Sequence, residues 1–273
     1  MSSTTSNVEV VGGRSGLEFG VLPGGQITFM DYKGIPFMYP FTTIDYGGEK
    51  GRKERGGTFP CFPNFGPPQG IFKGTLPQHG WLRNMKTQVN PIKNGVEIPF
   101  KVGGIGDYPW IISGKVIYFL LNSNTLLVKL MLKRHRDDHC FEPAPINFAM
   151  HHYWLRQNAG VDVIFFEEEG NCKTAQVLDT RGTKLYLKAQ KFEHPNLVKL
   201  DLLDVRSKSP KVDGIVTMSI KNAHRPRIVI WSDCKGFLCV EQIADHHENF
   251  NAQEGTFLKK GEEREISCLL EFK

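Results

Sequence analysis

Short runs of apolar residues alternate with clusters of Gly, Pro, Asn and Ser along the chain, from Val8 to Phe272. Runs of this kind, rich in Val, Ile, Leu and Phe, are typical of β-strands joined by tight turns. The run Leu126–Leu132 is apolar enough for a central strand, and Asn94-Gly95 is a hairpin-turn signal. No long segment has the periodicity of an amphipathic helix. The pattern predicts an all-β fold, a sandwich or barrel of antiparallel strands, in a single domain over residues 1–273.

Some segments give more specific expectations. Thr42–Arg55 contains several glycines and mixed charges, which predicts a loop. Lys86–Val89 reads as a short strand, and Pro143–Trp154 as one strand that begins at a proline. Trp110–Ile112 and Lys115–Leu121 are predicted to be two separate strands within a set of hairpins.

Composition narrows the class of protein and partner. The chain has 273 residues, 40% hydrophobic and 23% charged, which is ordinary for a globular protein. Its net charge of +5 comes from basic residues interspersed with acidic ones, which favours an anionic small molecule over nucleic acid. The polar segment Met1–Asn7 is not a signal peptide and no apolar run is long enough to cross a membrane, so we expect a cytoplasmic protein. The six cysteines form no CxxC pair, which favours reduced, buried thiols, and nothing specifies an oligomer.

The segment Arg55–Asn84 is rich in proline, glycine and aromatic residues at once. Proline fixes φ and glycine allows bends, so this composition predicts an ordered loop rather than a helix or a flexible linker. Long loops with their own aromatic packing are usually functional. This one carries Arg55, His79 and Arg83, so it is either a substrate-binding loop or an Ω-loop with a structural histidine.

Two other positions place polar groups in apolar strands. Glu241 follows the apolar run Phe237–Val240, where burying an unpaired carboxylate is costly or shifts its pKa. It is either a general base or a salt-bridge partner at a strand end. His151 and His152 are adjacent in a strand, so only one faces inward and the other lies on the surface or behind the site. An inward histidine is either a catalyst or a satisfied core residue.

Two clusters hold residues of metal-ligand type, His135–His139 and Asp245–Glu248. Neither has a zinc spacing, and adjacent ligands on one strand point to opposite faces. We interpret both clusters as solvated loops and predict no metal site.

Three motifs together resemble the aldose 1-epimerase (galactose mutarotase-like) superfamily, in its hexose-6-phosphate mutarotase (glucose-6-phosphate 1-epimerase) branch. The first is Arg-Gly-Gly at 55–57 with Leu-Pro-Gln-His-Gly-Trp-Leu-Arg-Asn at 76–84. The second is His-His-Tyr-Trp at 151–154, similar to the family's His-x-Tyr-aromatic strand. The third is the strand that ends in Glu241, followed by Leu-Lys-Lys-Gly-Glu at 258–262. The motifs occur in family order from about residue 55 onward.

The resemblance implies a galactose mutarotase-like β-supersandwich, in agreement with the strand pattern. It implies that His151 is the general acid and Glu241 the general base in opening and closing a sugar ring at C1. His79 would bind the sugar ring, and Arg55 and Arg83 would bind the sugar or its phosphate. This chemistry requires no metal or organic cofactor.

The implied function is interconversion of the α and β anomers of an aldohexose, in particular a hexose 6-phosphate. The chain departs from the family pattern at Gln242, at His152 and over the dissimilar stretch 159–222. Two alternatives stay open: a 1-epimerase of free sugars, and a non-catalytic carbohydrate-binding protein on the same fold. The sequence does not identify the hexose.

Overall fold

The computed structural model describes residues 8–68, 70–155, 162–168, 171–177, 184–187, 197–201, 214–231, 236–245 and 255–273. These residues form 22 β-strands and three short 3-10 turns, with no α-helix among them. Within the described ranges, no helix is therefore long and apolar enough to cross a membrane. The 3-10 turns span Gly48–Lys50, Gly70–Phe72 and Leu82–Asn84.

In chain order, the strands are β1 Glu9–Gly12, β2 Leu17–Val21, β3 Ile27–Tyr32, β4 Ile35–Pro36, β5 Thr42–Asp45, β6 Arg52–Arg55, β7 Thr58–Cys61, β8 Asn90–Ile92, β9 Gly95–Ile105, β10 Tyr108–Asn122, β11 Thr125–Arg134, β12 Ala144–Ile146, β13 Ala149–Leu155, β14 Asp162–Glu168, β15 Asn171–Val177, β16 Lys184–Leu187, β17 Leu197–Asp201, β18 Ile215–Lys221, β19 Arg227–Trp231, β20 Phe237–Ile243, β21 Thr256–Leu258 and β22 Glu263–Phe272.

Two large antiparallel sheets contain most of these strands. The first, called the site sheet below, has the order β1-β2-β3-β7-β13-β20-β19-β16, with β4 beside β3. The second, called the backing sheet, has the order β15-β14-β17-β18-β22-β11-β10-β9-β8. The pairs β5–β6 and β12–β21 form small two-stranded sheets. The predicted all-β, antiparallel fold is confirmed.

The main core is shared by the two large sheets. It includes Met150 and Trp154 of β13 together with Val128 of β11. Successive side chains of a strand point to opposite faces, so the residues that alternate with Met150 and Trp154 face away from this core. A second apolar cluster covers that outer face and includes Phe59 and Tyr153. The centre of the site sheet is thus buried on both faces, and polar groups on its outer face are held inside the protein.

Several of the predicted elements are wrong. Thr42–Arg55, predicted to be a loop, contains the antiparallel pair β5–β6, in which Asp45 lies opposite Arg52 and accepts its Nε–H at 3.4 Å. Opposite charges at facing positions favour this pairing. Lys86–Val89, predicted to be a strand, lacks regular structure, and Pro143–Trp154 is divided into β12 and β13.

The long strand β10 was predicted as two strands, Trp110–Ile112 and Lys115–Leu121, and that division is wrong. The strand runs unbroken from Tyr108 to Asn122. Gly114 pairs with Leu132 on one side and with Phe100 on the other. A Cβ at Gly114 would lie 2.2 Å from the Met131 carbonyl oxygen and 2.7 Å from the Phe100 ring, so these two groups occupy the space that a side chain would fill.

Both clusters interpreted as solvated loops contain a buried carboxylate, so that interpretation is wrong for Asp138 and Asp245. Arg134 is fully buried and donates to both carboxylate oxygens of Asp138, at 2.8 and 3.0 Å. Asp245 accepts hydrogen bonds from Arg225 at 3.0 Å and from Thr256 at 2.6 Å. Both carboxylates therefore hold loops in place. His246, His247 and Glu248 lie outside the described residues.

The cysteines in the described part of the chain agree with the prediction of reduced thiols. Cys61, Cys239 and Cys268 are buried and Cys140 is partly buried, and none of the four is disulfide-bonded to another described residue. The side chains of Cys172 and Cys234 lie outside what the structure describes.

Candidate active site

Three neighbouring strands of the site sheet align the groups at its centre. His151 of β13 pairs with Phe59 of β7. On its other side, the register that pairs Tyr153 with Cys239 places His151 opposite Glu241 of β20. Phe59, His151 and Glu241 therefore form a row across the outer face of the sheet. The sequence separates these residues widely, and strand pairing alone brings them together.

His151 and Glu241 form a buried pair at the centre of this row. His151 Nε2 lies 3.1 Å from Glu241 Oε1. The two residues are 4% and 1% exposed, and Glu241 lies within β20 rather than at its end. The His151 ring is stacked between the rings of Phe59 and Tyr153, with centroid distances of 4.7 and 4.8 Å. This stacking fixes the imidazole plane and directs its Nε2 edge toward Glu241.

The surroundings of His151 favour its neutral form. Burial holds the pKa of His151 well below its ordinary value, and neighbouring basic groups lower it further. A neutral imidazole carries one proton, and the close approach of Glu241 Oε1 to Nε2 favours that proton on Nε2, facing the carboxylate. Among the described groups, His151 Nδ1 has no hydrogen-bond partner. The basic groups that lower this pKa are His79, Arg83, His152 and Arg55.

The proline-rich loop presents His79 above the same row. His79 has a φ of 65°, a left-handed conformation that is uncommon for a residue with a side chain. Two hydrogen bonds to Gly66 hold it there: the His79 N–H donates to the Gly66 carbonyl at 2.9 Å, and the Gly66 N–H donates to His79 Nδ1 at 3.2 Å. Because Nδ1 accepts, the neutral ring carries its proton on Nε2. The ring lies 4.9 Å from that of His151, nearly perpendicular to it.

Two internal contacts keep this loop closed. The buried amide of Asn64 donates to the carbonyls of Gly66 at 3.1 Å and Pro77 at 3.2 Å. Gly80, with φ of 75°, packs so tightly that a Cβ there would lie 2.1 Å from the Phe62 carbonyl oxygen. Only glycine fits this position, so the bend that follows His79 depends on it.

Arg55 reaches the site from the β5–β6 pair, and Arg83 reaches it from the proline-rich loop. Arg83 lies in the 3-10 turn Leu82–Asn84, and its Cζ is 4.2 Å from the centroid of the Phe59 ring. Arg55 ends β6, and its Cζ is 5.3 Å from the ring of Trp231 and 5.5 Å from that of Tyr46. Aromatic faces attract guanidinium groups, so these rings hold both cations beside the buried pair.

A cavity of about 300 Å³ opens above the row, and all five residues singled out from the sequence line it. This volume lies at the small end of ligand pockets and suits a compact ligand. The cavity combines an imidazole and a carboxylate, 3.1 Å apart, with two arginines. It can therefore exchange protons with a small polar molecule and attract an anionic group on it. The five residues are Arg55, His79, Arg83, His151 and Glu241.

The profile of the Aldose 1-epimerase family matches residues 46–271, a range that includes every residue lining the cavity. The chain belongs to the aldose 1-epimerase family. Family membership supports an epimerase that interconverts the anomers of a small sugar. No curated protein matches the chain.

Solved structures similar to this aldose epimerase family member share its fold. The Slr1438 protein from Synechocystis sp. PCC 6803 aligns with a TM-score of 0.74 at 16% identity, covering 100% of this chain and 99% of that one. A putative aldose 1-epimerase from Escherichia coli K12 aligns with a TM-score of 0.68 at 14% identity, covering 98% and 99%. A galactose mutarotase related enzyme from Lactobacillus acidophilus gives 0.67 at 15% identity, covering 98% and 97%. The TM-scores establish the mutarotase-like fold, whereas sequence identities this low do not identify the substrate.

Eight other residues line the cavity of this family member and were missed as site residues by the sequence interpretation. Lys53 was missed because Thr42–Arg55 was predicted to be a loop, whereas in a strand Lys53 and Arg55 share one face. On β19, Val229 pairs with Glu241 and Trp231 pairs with Cys239. Side chains two positions apart on a strand share a face, so the pairing of β19 with β20 places Trp231 on the same face as Glu241. That pairing could not be read from the sequence. The missed residues are Lys53, Phe65, Gly66, Pro67, Gln78, Tyr153, Val229 and Trp231.

His152 faces the opposite side of the site sheet from His151, toward the main core. It is 2% exposed, so the surface alternative considered for it is wrong. The Thr58 hydroxyl donates to the His151 carbonyl at 2.9 Å, and its oxygen lies 2.9 Å from His152 Nδ1. Since the Thr58 proton is already donated, His152 Nδ1 donates to the Thr58 oxygen. His152 and Thr58 thus fix the backbone behind His151.

This buried histidine predicts that stability falls in acid. Burial lowers the pKa of His152 to about 3, whereas a histidine in the unfolded chain titrates near 6.5. Between these values the unfolded state binds the additional proton, so the full stability above about pH 6.5 decreases as the pH falls toward about 3, by up to about 1.4 kcal/mol per pH unit. His152→Asn, which keeps a donor for Thr58, should reduce this slope in urea unfolding measured from pH 7 to pH 4, and the buried His151 accounts for a slope that remains.

His139→Asn is the control for that experiment, because it removes an exposed histidine. It should leave the pH dependence of the free energy of unfolding as it is in the wild type. If His152→Asn and the wild type lose stability with the same slope, His152 is not the group responsible.

Proposed function

We propose that this aldose 1-epimerase family member interconverts the α and β anomers of a hexose 6-phosphate, with His151 as general acid and Glu241 as general base. The observation that carries the proposal is the buried His151–Glu241 pair, joined at 3.1 Å, in a cavity that Arg55 and Arg83 also line. The pair supports proton transfer, and the arginines support an anionic substrate.

The reaction requires two proton transfers around one carbon. Glu241 takes the proton of the C1 hydroxyl, the bond between C1 and the ring oxygen breaks, and His151 donates a proton to the ring oxygen. The open-chain aldehyde then turns its carbonyl face, and the reverse transfers close the ring as the other anomer. The C1 hydroxyl and the ring oxygen are bonded to the same carbon, so the acid and the base must reach the same small region. His151 and Glu241 both line the cavity. Each transfer contributes about 100- to 10,000-fold to the rate.

His151 must be protonated before it acts as the acid. Binding of the proposed substrate would favour this protonation. The positive charges of Arg83 and Arg55 help to hold the pKa of His151 down. A phosphate bound between them would neutralise that charge and raise the pKa of His151. An anionic substrate would thus promote the protonation of its own catalytic acid.

The arginines also suit phosphate as a ligand. A guanidinium resting on an aromatic ring still presents N–H groups in its plane, and these groups match phosphate oxygens in pairs. Lys53 adds a third cationic side chain to the cavity lining, where Glu241 supplies the one carboxylate among the described residues. This balance favours a phosphorylated sugar over a neutral one.

The proposal is tested by following optical rotation after α-glucose 6-phosphate, α-glucose and α-galactose are freshly dissolved, with spontaneous exchange subtracted. We expect strong acceleration with the phosphorylated sugar and little with the free sugars. Equal or greater acceleration with free sugars would reject the phosphate specificity and leave a general aldose 1-epimerase. No acceleration with any sugar, accompanied by saturable binding, would indicate a non-catalytic carbohydrate-binding protein.

A further inference from the structure

The floor of the cavity holds a third chemical group that the proposed reaction does not use. Cys239 lies two positions before Glu241 on β20, so both side chains point to the same face of the site sheet. His151 lies opposite Glu241 on the next strand. The ligand-type atoms of these three buried residues all lie within 4.8 Å of one another. Cys239 is 0% exposed and, unlike the other two, does not line the cavity, so its sulfur lies beneath them.

This set of donors matches the ligand preferences of one class of cation. Thiolate, imidazole and carboxylate together are typical ligands of Zn²⁺, which binds them at about 2.0–2.3 Å in a tetrahedral arrangement. Ligand atoms around such an ion are separated by less than twice these distances, so small side-chain rotations would bring the three atoms to it. We propose that His151, Cys239 and Glu241 form a binding site for Zn²⁺ or a similar thiophilic divalent ion, with its fourth position directed into the cavity.

Charge balance supports a thiophilic ion over Mg²⁺. A Cys239 thiolate and the Glu241 carboxylate together neutralise a divalent ion, whereas Mg²⁺ prefers oxygen ligands and discriminates against sulfur. Binding releases the thiol proton of Cys239 to solvent, and the His151 proton moves from Nε2 to Nδ1 so that Nε2 coordinates. The arginines nearby oppose a cation, so we expect reversible rather than permanent binding.

The consequence concerns regulation, and this part of the inference rests on the proposed function. A bound ion would be coordinated by both the proposed acid, His151, and the proposed base, Glu241, so neither group could transfer a proton. Zn²⁺ would therefore inhibit anomer exchange in competition with the sugar.

Binding itself is tested without any activity assay. Co²⁺, which replaces Zn²⁺ and is visible spectroscopically, should give a thiolate-to-cobalt charge-transfer band with the wild-type protein, and Zn²⁺ should abolish that band. Competition with a chromophoric chelator should give a Zn²⁺ affinity that Cys239→Ser weakens by at least about tenfold, the lower end of what second-shell changes alone produce. The matched control is Cys268→Ser, which removes another buried thiol, on β22.

The outcomes separate the two proposals. A charge-transfer band that is lost in Cys239→Ser and kept in Cys268→Ser supports the metal site, whether or not the protein epimerises a hexose 6-phosphate. Absence of the band from the wild-type protein, or equal Zn²⁺ affinities in the wild type and both variants, overturns it. The absence of the band is read on the wild-type chain, so a folding defect in a variant cannot produce that negative result.

Discussion

Glu241→Gln is expected to lower the rate of anomer exchange by about 100- to 10,000-fold, since it removes the proposed general base. The carboxamide has nearly the shape of the carboxylate but cannot accept the proton of the C1 hydroxyl. The side chain is 1% exposed and its Oε1 lies 3.1 Å from His151 Nε2, so an isosteric change preserves the packing around it. The rate should be measured with glucose 6-phosphate, alongside near-ultraviolet circular dichroism to confirm the fold.

Glu97→Gln provides the matched control for this loss. Glu97 lies in the backing sheet, where it accepts a hydrogen bond from Lys115 at 2.9 Å, remote in sequence and strand order from the site. The same chemical change there should leave the exchange rate unaltered. A folded Glu241→Gln protein that exchanges anomers at the wild-type rate would exclude Glu241 as the base.

Arg83→Ala is expected to raise the KM for glucose 6-phosphate by about 10- to 100-fold, because a hydrogen bond to a charged group contributes about 1.5–3 kcal/mol. Arg55→Ala should act in the same direction. The residual activity toward free glucose, by contrast, should change little, since free glucose has no phosphate for the arginine to bind. Steady-state kinetics with both sugars measure the two effects separately.

Arg52→Ala is the control for the arginine variants. Arg52 lies on the same strand as Arg55, is exposed, and pairs with Asp45 away from the cavity lining. It should not change the KM for either sugar. If Arg83→Ala and Arg55→Ala weakened the reactions of free and phosphorylated glucose equally, the arginines would act on the sugar or on the fold rather than on a phosphate.

The fold class was predictable because apolar runs separated by turn residues are a local signal. β7 was not, because it lies inside the segment interpreted as a loop and contains Pro60, which has no N–H for a strand ladder. The structure accommodates Pro60 because β3 pairs with β7 only through Ile27 and Thr58. Beyond Thr58, β7 is an edge on that side, and edges tolerate proline.

The five candidate residues could be singled out from short motifs, but the way they are arranged around the cavity could not be predicted. His79 stood out within its loop, and His151 and Glu241 stood out as polar groups in apolar strands. The contact of His151 with Glu241 depends on the register between β13 and β20, and the approach of Trp231 depends on the pairing of β19 with β20. Neither register is encoded locally, because it follows from how distant strands pack into one sheet.

The most direct test of the central claim is exchange NMR on equilibrated glucose 6-phosphate, which reports the interconversion of the α and β anomeric protons without any net reaction. With wild-type protein we predict an exchange rate that rises in proportion to protein concentration above the spontaneous rate, and that returns to the spontaneous rate with His151→Asn or Glu241→Gln. An exchange rate with folded wild-type protein equal to that of the protein-free solution would contradict the account.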